Sequence, residues 1–146
     1  MTPTDQSLIV SITVKDANAA LEYYQKSFNA EALFKLPLPD GSLGHADVRI
    51  GNTMVHLSGE YPDWRALSPE TLGGSPNLLC IRHDDYETMF QQAVDNGAEV
   101  LAPMTDFPWG IRSGVIIDPF GYRWSIGKQV EVVSPEEVMQ RLAGQS

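Results

Sequence analysis

Positive charge and cysteine are both scarce in this chain, and each shortage excludes a class of protein. Lys and Arg number 10 against 19 Asp and Glu, which leaves a formal net charge of −9. Nucleic acids and anionic membranes need a basic surface, so neither is expected as a partner. The lone cysteine, Cys80, excludes an internal disulfide. Because Leu79 and Ile81 flank it, we expect an inert core thiol.

Long hydrophobic runs are also missing. No run approaches the roughly 20 apolar residues that a membrane-spanning helix needs. The first residues, MTPTDQSLIVSI, include Asp5 and lack the basic start of a secretion signal. We therefore expect a cytoplasmic protein, and the 146 residues with 42% hydrophobic content fit a single domain over residues 1–146.

The chain does contain an internal repeat. The segment DANAALEYYQKSFNAEALFKL, which starts at Asp16, matches DDYETMFQQAVDNGAEVLAPM, which starts at Asp84. In both halves a strand-like run precedes an aspartate that can cap a helix, and an apolar stripe follows at helical spacing. The pattern predicts a βαβββ unit used twice, over residues 8–58 and 76–127.

A short helix is predicted after the second unit. In SPEEVMQRLAG, Ser134 is placed to cap the helix, Pro135 lies in the first turn, Glu137 follows three residues after the cap, and Gly144 can end the helix. The predicted fold class is therefore α+β, with two tandem βαβββ units and a helical tail over residues 134–143.

The stretch LGHADVRIGNTMVHLSG predicts a hairpin with polar residues on one face. A two-residue turn at Gly51-Asn52 pairs Asp47 with His56 across the strands. Alternation then places four polar side chains together: His45, Asp47, Arg49 and His56. A carboxylate beside an imidazole fixes its tautomer and raises its basicity, so Asp47 and His56 are candidate catalytic residues. A purely structural ion pair is the alternative.

Aromatic residues and arginines on other segments complete the set of candidate ligand-binding residues. Trp64 lies between the two units, and Trp109 and Arg112 lie in TDFPWGIRSGV. Arg123 alternates with Trp124, which is assigned to the core. Such residues suit a planar or anionic small molecule. Alternatively, Trp109 packs under its loop, Arg112 pairs with a carboxylate, and Trp64 seals a dimer contact.

The motifs TVKDANAALEYYQKSF, HADVRIGNTMVHLS and DPFGYRWSI, within a doubled βαβββ unit, closely resemble the vicinal oxygen chelate superfamily. This superfamily includes glyoxalase I, the bleomycin- and fosfomycin-resistance proteins and the extradiol dioxygenases. The resemblance covers about residues 8–128. It implies a curved mixed sheet around a cleft, with helices on the outer face, and a homodimer.

The resemblance also implies where a metal would bind. In metal-bearing relatives each unit supplies one ligand from its first strand and one from its last. Carried onto this chain, the four positions become about Ile9, His56, Leu78 and Ser125, of which only His56 binds a divalent ion well. His45 and Asp47 could join His56 only at a different site. The prediction is therefore no metal and no cofactor.

Two functions follow as hypotheses. The first is metal-independent binding of a small molecule, with drug or metabolite sequestration as in bleomycin resistance, and hence a role in antibiotic resistance. The second is a glyoxalase-like lyase or dioxygenase-type enzyme that uses an altered metal site or a His/Asp acid–base pair. Because one scaffold hosts many chemistries, the resemblance alone does not choose between them.

Overall fold

The computed structural model describes residues 2–144. Within this range the chain forms eight strands and four α-helices. In chain order they are β1 (Ser11–Thr13), α1 (Ala17–Phe28), β2 (Glu31–Pro37), β3 (Leu43–Ile50), β4 (Thr53–Ser58), α2 (Pro69–Leu72), β5 (Leu78–Arg82), α3 (Tyr86–Asp95), β6 (Glu99–Asp106), β7 (Ile111–Ile117), β8 (Arg123–Gln129) and α4 (Pro135–Ala143). A 3₁₀ turn at Pro62–Trp64 and the short α2 occupy the segment between the two units.

The strands form two four-stranded sheets with the same topology. Their orders are β1-β4-β3-β2 and β5-β8-β7-β6. In each sheet the first strand runs parallel to the last one, and the other neighbours are antiparallel. The predicted α+β class with tandem βαβββ units is thus confirmed, and each unit forms its own mixed sheet.

Helix boundaries follow from the capping residues. Asp16 caps α1 by accepting a hydrogen bond from the Ala19 backbone N–H, and Asn29 ends the helix in the left-handed region at φ 54°. Ser134 accepts from the Glu137 backbone N–H at the start of α4, so the predicted caps of both helices are confirmed. None of the helices between residues 2 and 144 combines the length and apolar composition that a membrane span requires.

Helices α1 and α3 pack against each other and join the two units in one core. The Tyr23 hydroxyl of α1 donates a hydrogen bond to the Ala93 carbonyl of α3, at 2.8 Å. The Asn96 side chain, just after α3, donates to the Ser27 hydroxyl at 3.2 Å. The largest fully buried apolar side chains come from both units: Tyr24, Phe28, Ile12, Leu57, Met89, Ile116 and Ile126.

A buried carboxylate, Asp118, lies at the centre of this core. Its Oδ2 accepts hydrogen bonds from the Tyr24 hydroxyl of α1, at 2.6 Å, and from the Trp124 indole N–H of β8, at 2.8 Å. Its Oδ1 accepts from the backbone N–H groups of Phe120 and Tyr122. Burial raises the pKa of Asp118, although these four hydrogen bonds oppose the shift. Both oxygens are fully engaged, so the residue is structural.

Cys80 corrects one expectation from the sequence. The residue is exposed, because β5 is an edge strand and alternation turns Cys80 to the face away from α3. On the helix-facing side of β5, Ile81 is buried and Leu79 packs against the core. The inference of a core thiol was therefore wrong. Apolar neighbours in the sequence do not bury a residue that alternates with them.

Replacing Asp118 with Ala should lower the free energy of unfolding by about 3–4 kcal/mol, because four buried donors lose their acceptor. Urea denaturation followed by tryptophan fluorescence would measure the loss. The matched control is Asp63→Ala, a change at an exposed aspartate, which should stay within about 0.5 kcal/mol of the wild type. Equal stability of the two variants would contradict the assignment of Asp118 as a core residue.

Candidate ligand-binding site

The hairpin of β3 and β4 has the pairing that the sequence predicted. Asp47 lies opposite His56, and His45 lies opposite Ser58. The turn is tight because Gly51 adopts a positive φ of 58°. One face of the hairpin is buried against the helices. The other face carries the polar side chains, so the two faces predicted from alternation are confirmed.

Asp47 is the most deeply buried polar group on this face, with its side chain 0% exposed. Its Oδ1 lies 2.8 Å from Nε2 of His45, and its Oδ2 accepts a hydrogen bond from the Thr2 backbone N–H at 2.8 Å. Burial alone would raise the pKa of Asp47, but the hydrogen bonds from His45 and Thr2 outweigh it and lower the pKa to about 2. A carboxylate only accepts, so the proton of this bond is on Nε2 of His45.

His56 completes the group, which we call the hairpin cluster: His45, Asp47 and His56. Nε2 of His56 lies 3.6 Å from Oδ1 of Asp47, beyond hydrogen-bond distance. The two imidazole rings meet edge to face, with centroids 4.9 Å apart. Their side chains are 22% and 23% exposed. Asp47 and His56 are ladder partners as predicted, but the hydrogen bond goes to His45.

The N-terminal segment lies beside the cluster. Thr2 binds Asp47, as described, and the Gln6 side chain forms two hydrogen bonds with the backbone of Met54, one donated and one accepted. Gln6 thus pairs with β4 ahead of β1 and leads the first residues of the chain to Asp47. No periodic pattern marks this segment, so its position could not be predicted from the sequence.

Phe34 of β2 is a site residue that the sequence analysis missed. It lies opposite Asp47 in the ladder, and its ring centroid is 6.4 Å from that of His45. The ladder register shifts between Ala32 and Phe34. Such a bulge adds a residue to one strand and breaks the alternation, so the facing of Phe34 could not be derived from period two.

Arg49 lies further along β3, opposite Met54. It forms an ion pair with Glu31 of β2, and both side chains are at least half exposed. Alternation puts Arg49 on the same face as the hairpin cluster. Its guanidinium, paired with Glu31, therefore lies at the solvent-exposed end of that face.

The aromatic residues predicted as ligand contacts have other neighbours. Trp64 is 83% exposed, and its ring meets that of Tyr61 in the same segment edge to face, with centroids 5.4 Å apart. Trp109 stacks on Phe107 at 4.8 Å, within the loop between β6 and β7. Both ring contacts lie within the two loops and not at the hairpin cluster.

Arg112 and Arg123 lie on opposite faces of the second sheet. Arg112 forms ion pairs with Glu87 of α3 and with Asp106, and the hydrogen bond to Glu87 raises the pKa of its guanidinium. Arg112 lies opposite Lys128 of β8 and shares its face. Because Lys128 and Arg123 are five residues apart on the same strand, alternation turns Arg123 to the other face, where it donates a hydrogen bond to the Pro76 carbonyl. This arrangement matches the structural alternative for Arg112 and places Arg123 away from the helices.

Arg82 shares the face of Arg123 and was not singled out from the sequence. Its guanidinium donates to the Ser125 carbonyl and hydroxyl, at 3.2 and 3.3 Å. Strict alternation along β5 with Ile81 could have indicated it. The second sheet therefore presents two arginines on its polar face, while the first presents the hairpin cluster.

The ladders show which residues lie opposite two of the positions at which the resemblance implies metal ligands, His56 and Ser125. Ser11 lies opposite His56, and Cys80 lies opposite Ser125. These four positions contain no carboxylate. Among residues 2–144, the group of His, Cys, Asp and Glu side chains that could hold a metal is the hairpin cluster, whose ligand atoms lie within 4.8 Å of one another.

Comparison with known proteins identifies a family and a relative with similar sequences. Residues 7–126 match the family model of the Glyoxalase/Bleomycin resistance protein/Dioxygenase superfamily. The uncharacterized protein Mb0911c of Mycobacterium bovis is 35% identical over 144 residues, which cover 97% of this chain and 95% of that protein.

Solved structures share the fold at low identity. The crystal structure of TioX from Micromonospora sp. ML1 superposes with a TM-score of 0.69 at 22% identity, covering 85% of this chain and 98% of TioX. A bleomycin-binding protein, solved in complex with bleomycin, superposes with a TM-score of 0.59 at 19% identity, covering 86% of this chain and 98% of that protein.

The different environments of Asp47 and Arg49 predict different costs of truncation. Asp47→Ala should lower the free energy of unfolding by about 2–3 kcal/mol, because it removes a buried acceptor of two hydrogen bonds. Arg49→Ala, two residues along the same strand, should cost less than about 1 kcal/mol, because its ion pair is exposed. Chemical denaturation would measure both, and a larger loss for Arg49→Ala would refute the burial argument.

Proposed function

The chain belongs to the Glyoxalase/Bleomycin resistance protein/Dioxygenase superfamily, and on this premise we propose that it binds a small organic molecule over the polar face of the β3–β4 hairpin. The proposed role is sequestration of a drug or metabolite, in the manner of bleomycin resistance, by a cytoplasmic homodimer. Binding of this kind needs no metal at the four positions that the resemblance implies, which are about Ile9, His56, Leu78 and Ser125.

The observation that carries this proposal is the hairpin cluster. Two imidazoles stand over a fully buried carboxylate, and about a fifth of each imidazole side chain is exposed. Asp47 holds His45 in one tautomer and orientation. A ligand would therefore meet polar groups whose positions are already fixed, which lowers the entropy lost on binding.

The rings around the cluster indicate the shape of the ligand. Three planar groups are neighbours here: the ring of His45 lies 6.4 Å from that of Phe34 and 4.9 Å from that of His56, centroid to centroid. Planar groups favour a flat ligand that can stack or meet a ring edge. Arg49, at the exposed end of the same face, adds a donor for an anionic substituent.

The other predicted ligand-binding residues extend the proposal to a dimer. Trp64 and Tyr61 are exposed and meet edge to face, so they form a small aromatic surface that a second subunit could cover. Trp109 and Arg123 remain candidates for contacts contributed across such an interface. The bleomycin-binding protein supports the proposal of ligand binding, since it has the same fold and was solved with a small molecule bound.

An enzymatic role is the second candidate. The 2.8 Å contact between His45 and Asp47 is the arrangement of an oriented general base. In this reading His45 is activated by Asp47, and His56 lies beside it. Turnover of a bound compound, lost in His45→Ala, would distinguish an enzyme from a binder.

Changing His56 to Ala should weaken ligand binding at least about tenfold and leave the unfolding midpoint nearly unchanged, since His56 is partly exposed and outside the core. A thermal-shift screen of planar aromatic acids, phenols and bleomycin, in the presence of EDTA, would find a ligand, and calorimetry would give its Kd for both proteins.

The matched control is His83→Ala. His83 accepts a hydrogen bond from the Asp85 backbone N–H outside the hairpin, so this variant should bind as the wild type does. Equal affinity of His56→Ala and wild type would remove the hairpin from the ligand site.

A further inference from the structure

We propose that the hairpin cluster of His45, Asp47 and His56 binds a divalent transition-metal ion of the zinc type. All three ligands come from a single hairpin of the first unit. The proposal departs from the sequence-based prediction of no metal, which rested on the first and last strands of both units. It goes beyond the proposed function, because an ion could bind here without any organic ligand.

One ion could bind all three side chains after the imidazoles turn. Two ligand atoms that each lie about 2.1 Å from an ion at a tetrahedral angle are about 3.4 Å apart. Oδ1 of Asp47 and Nε2 of His56 are 3.6 Å apart, close to this separation. Oδ1 of Asp47 and Nε2 of His45 are 2.8 Å apart and would separate by about 0.6 Å. The three ligand atoms lie within 4.8 Å of one another. Two atoms bound to the same ion are at most about 4.2 Å apart, so the two imidazoles would turn towards each other as the ion binds.

The donor set selects the kind of ion. Two imidazole nitrogens and one carboxylate oxygen suit Zn²⁺ and its neighbours in the first transition row, whereas Mg²⁺ and Ca²⁺ favour oxygen ligands alone. When the ion binds Nε2 of His45, the proton on that nitrogen passes to water and Nδ1 takes up a proton from water, so the imidazole stays neutral. One carboxylate and two neutral imidazoles leave a net single positive charge with the ion.

The surroundings hold the ligands in place before an ion arrives. The Thr2 backbone N–H binds Oδ2 of Asp47 and leaves Oδ1 directed at the imidazoles. The β3–β4 ladder fixes Asp47 opposite His56, and His45 is two residues from Asp47 on the same face. A hydrogen bond to the second carboxylate oxygen is the support that ligating carboxylates have in built metal sites.

Three protein ligands would leave coordination positions for other molecules. Both histidine side chains are partly exposed, so the remaining positions point to where water or a small molecule can reach. Sites with three protein ligands and an open position are the kind that bind or activate a further ligand. An anionic oxygen of a small molecule is the chemistry that would fit there.

The test uses tag-free protein, stripped with EDTA and titrated with Co²⁺ alone. We expect one Co²⁺ per chain by calorimetry, together with visible d–d absorption that appears in step with binding. Added Zn²⁺ should displace the Co²⁺ and abolish the absorption. Because no organic compound is present, the result does not depend on the proposed small-molecule function.

Matched variants locate the ion. His45→Ala and His56→Ala should each weaken Co²⁺ binding at least about 100-fold, the upper end of what loss of a supporting residue costs. His83→Ala, which removes the one remaining histidine, should bind as the wild type does. Asp47→Asn keeps the shape of the buried side chain and should also lose binding.

Two results would overturn the proposal. The first is the absence of saturable Co²⁺ or Zn²⁺ binding to the folded wild-type protein. The second is binding that survives in both His45→Ala and His56→Ala, which would place the ion elsewhere. Circular dichroism of each variant shows that a loss of binding is not a loss of folding.

Discussion

The carboxylate of Asp118 joins the two repeat units, and much of the remaining structure depends on it. It lies in the turn between β7 and β8 of the second unit, yet one of its four donors is Tyr24 of α1 in the first. The rings of Phe28 and Trp124 pack beside it with centroids 4.9 Å apart. A buried charge with fewer donors would be costly, so the geometry of both units around it is tightly constrained.

This constraint reaches the candidate site through a short chain of contacts. Asp118 holds the backbone of Tyr122, whose hydroxyl both donates to and accepts from the backbone of Thr13 in β1. Strand β1 pairs with β4, where Ser11 lies opposite His56. The turn of the second unit therefore helps to position the strand that carries His56 in the first. The duplicated architecture makes the hairpin cluster depend on a residue that touches none of its members.

Features set by local sequence could be predicted, and features set by irregular or long-range contacts could not. The repeat, the caps at Asp16 and Ser134, and the register of the β3–β4 hairpin follow from periodicity and from a tight turn at Gly51. The facing of Phe34 did not, because a bulge interrupts β2. The exposure of Cys80 depends on which strand forms the sheet edge, and the approach of Thr2 to Asp47 joins segments 45 residues apart.

The two buried aspartates show why the candidate site is where it is. Asp118 is surrounded by donors that are themselves fixed in the core, so its hydrogen-bonding capacity is used and nothing can be added. Asp47 is as deeply buried, but its partners are a backbone N–H and imidazoles with about a fifth of each side chain exposed. An imidazole can turn, lose its proton to an ion, or offer its other nitrogen to a ligand. The same residue type therefore closes the core in one unit and, in the other, supports a face that can still bind.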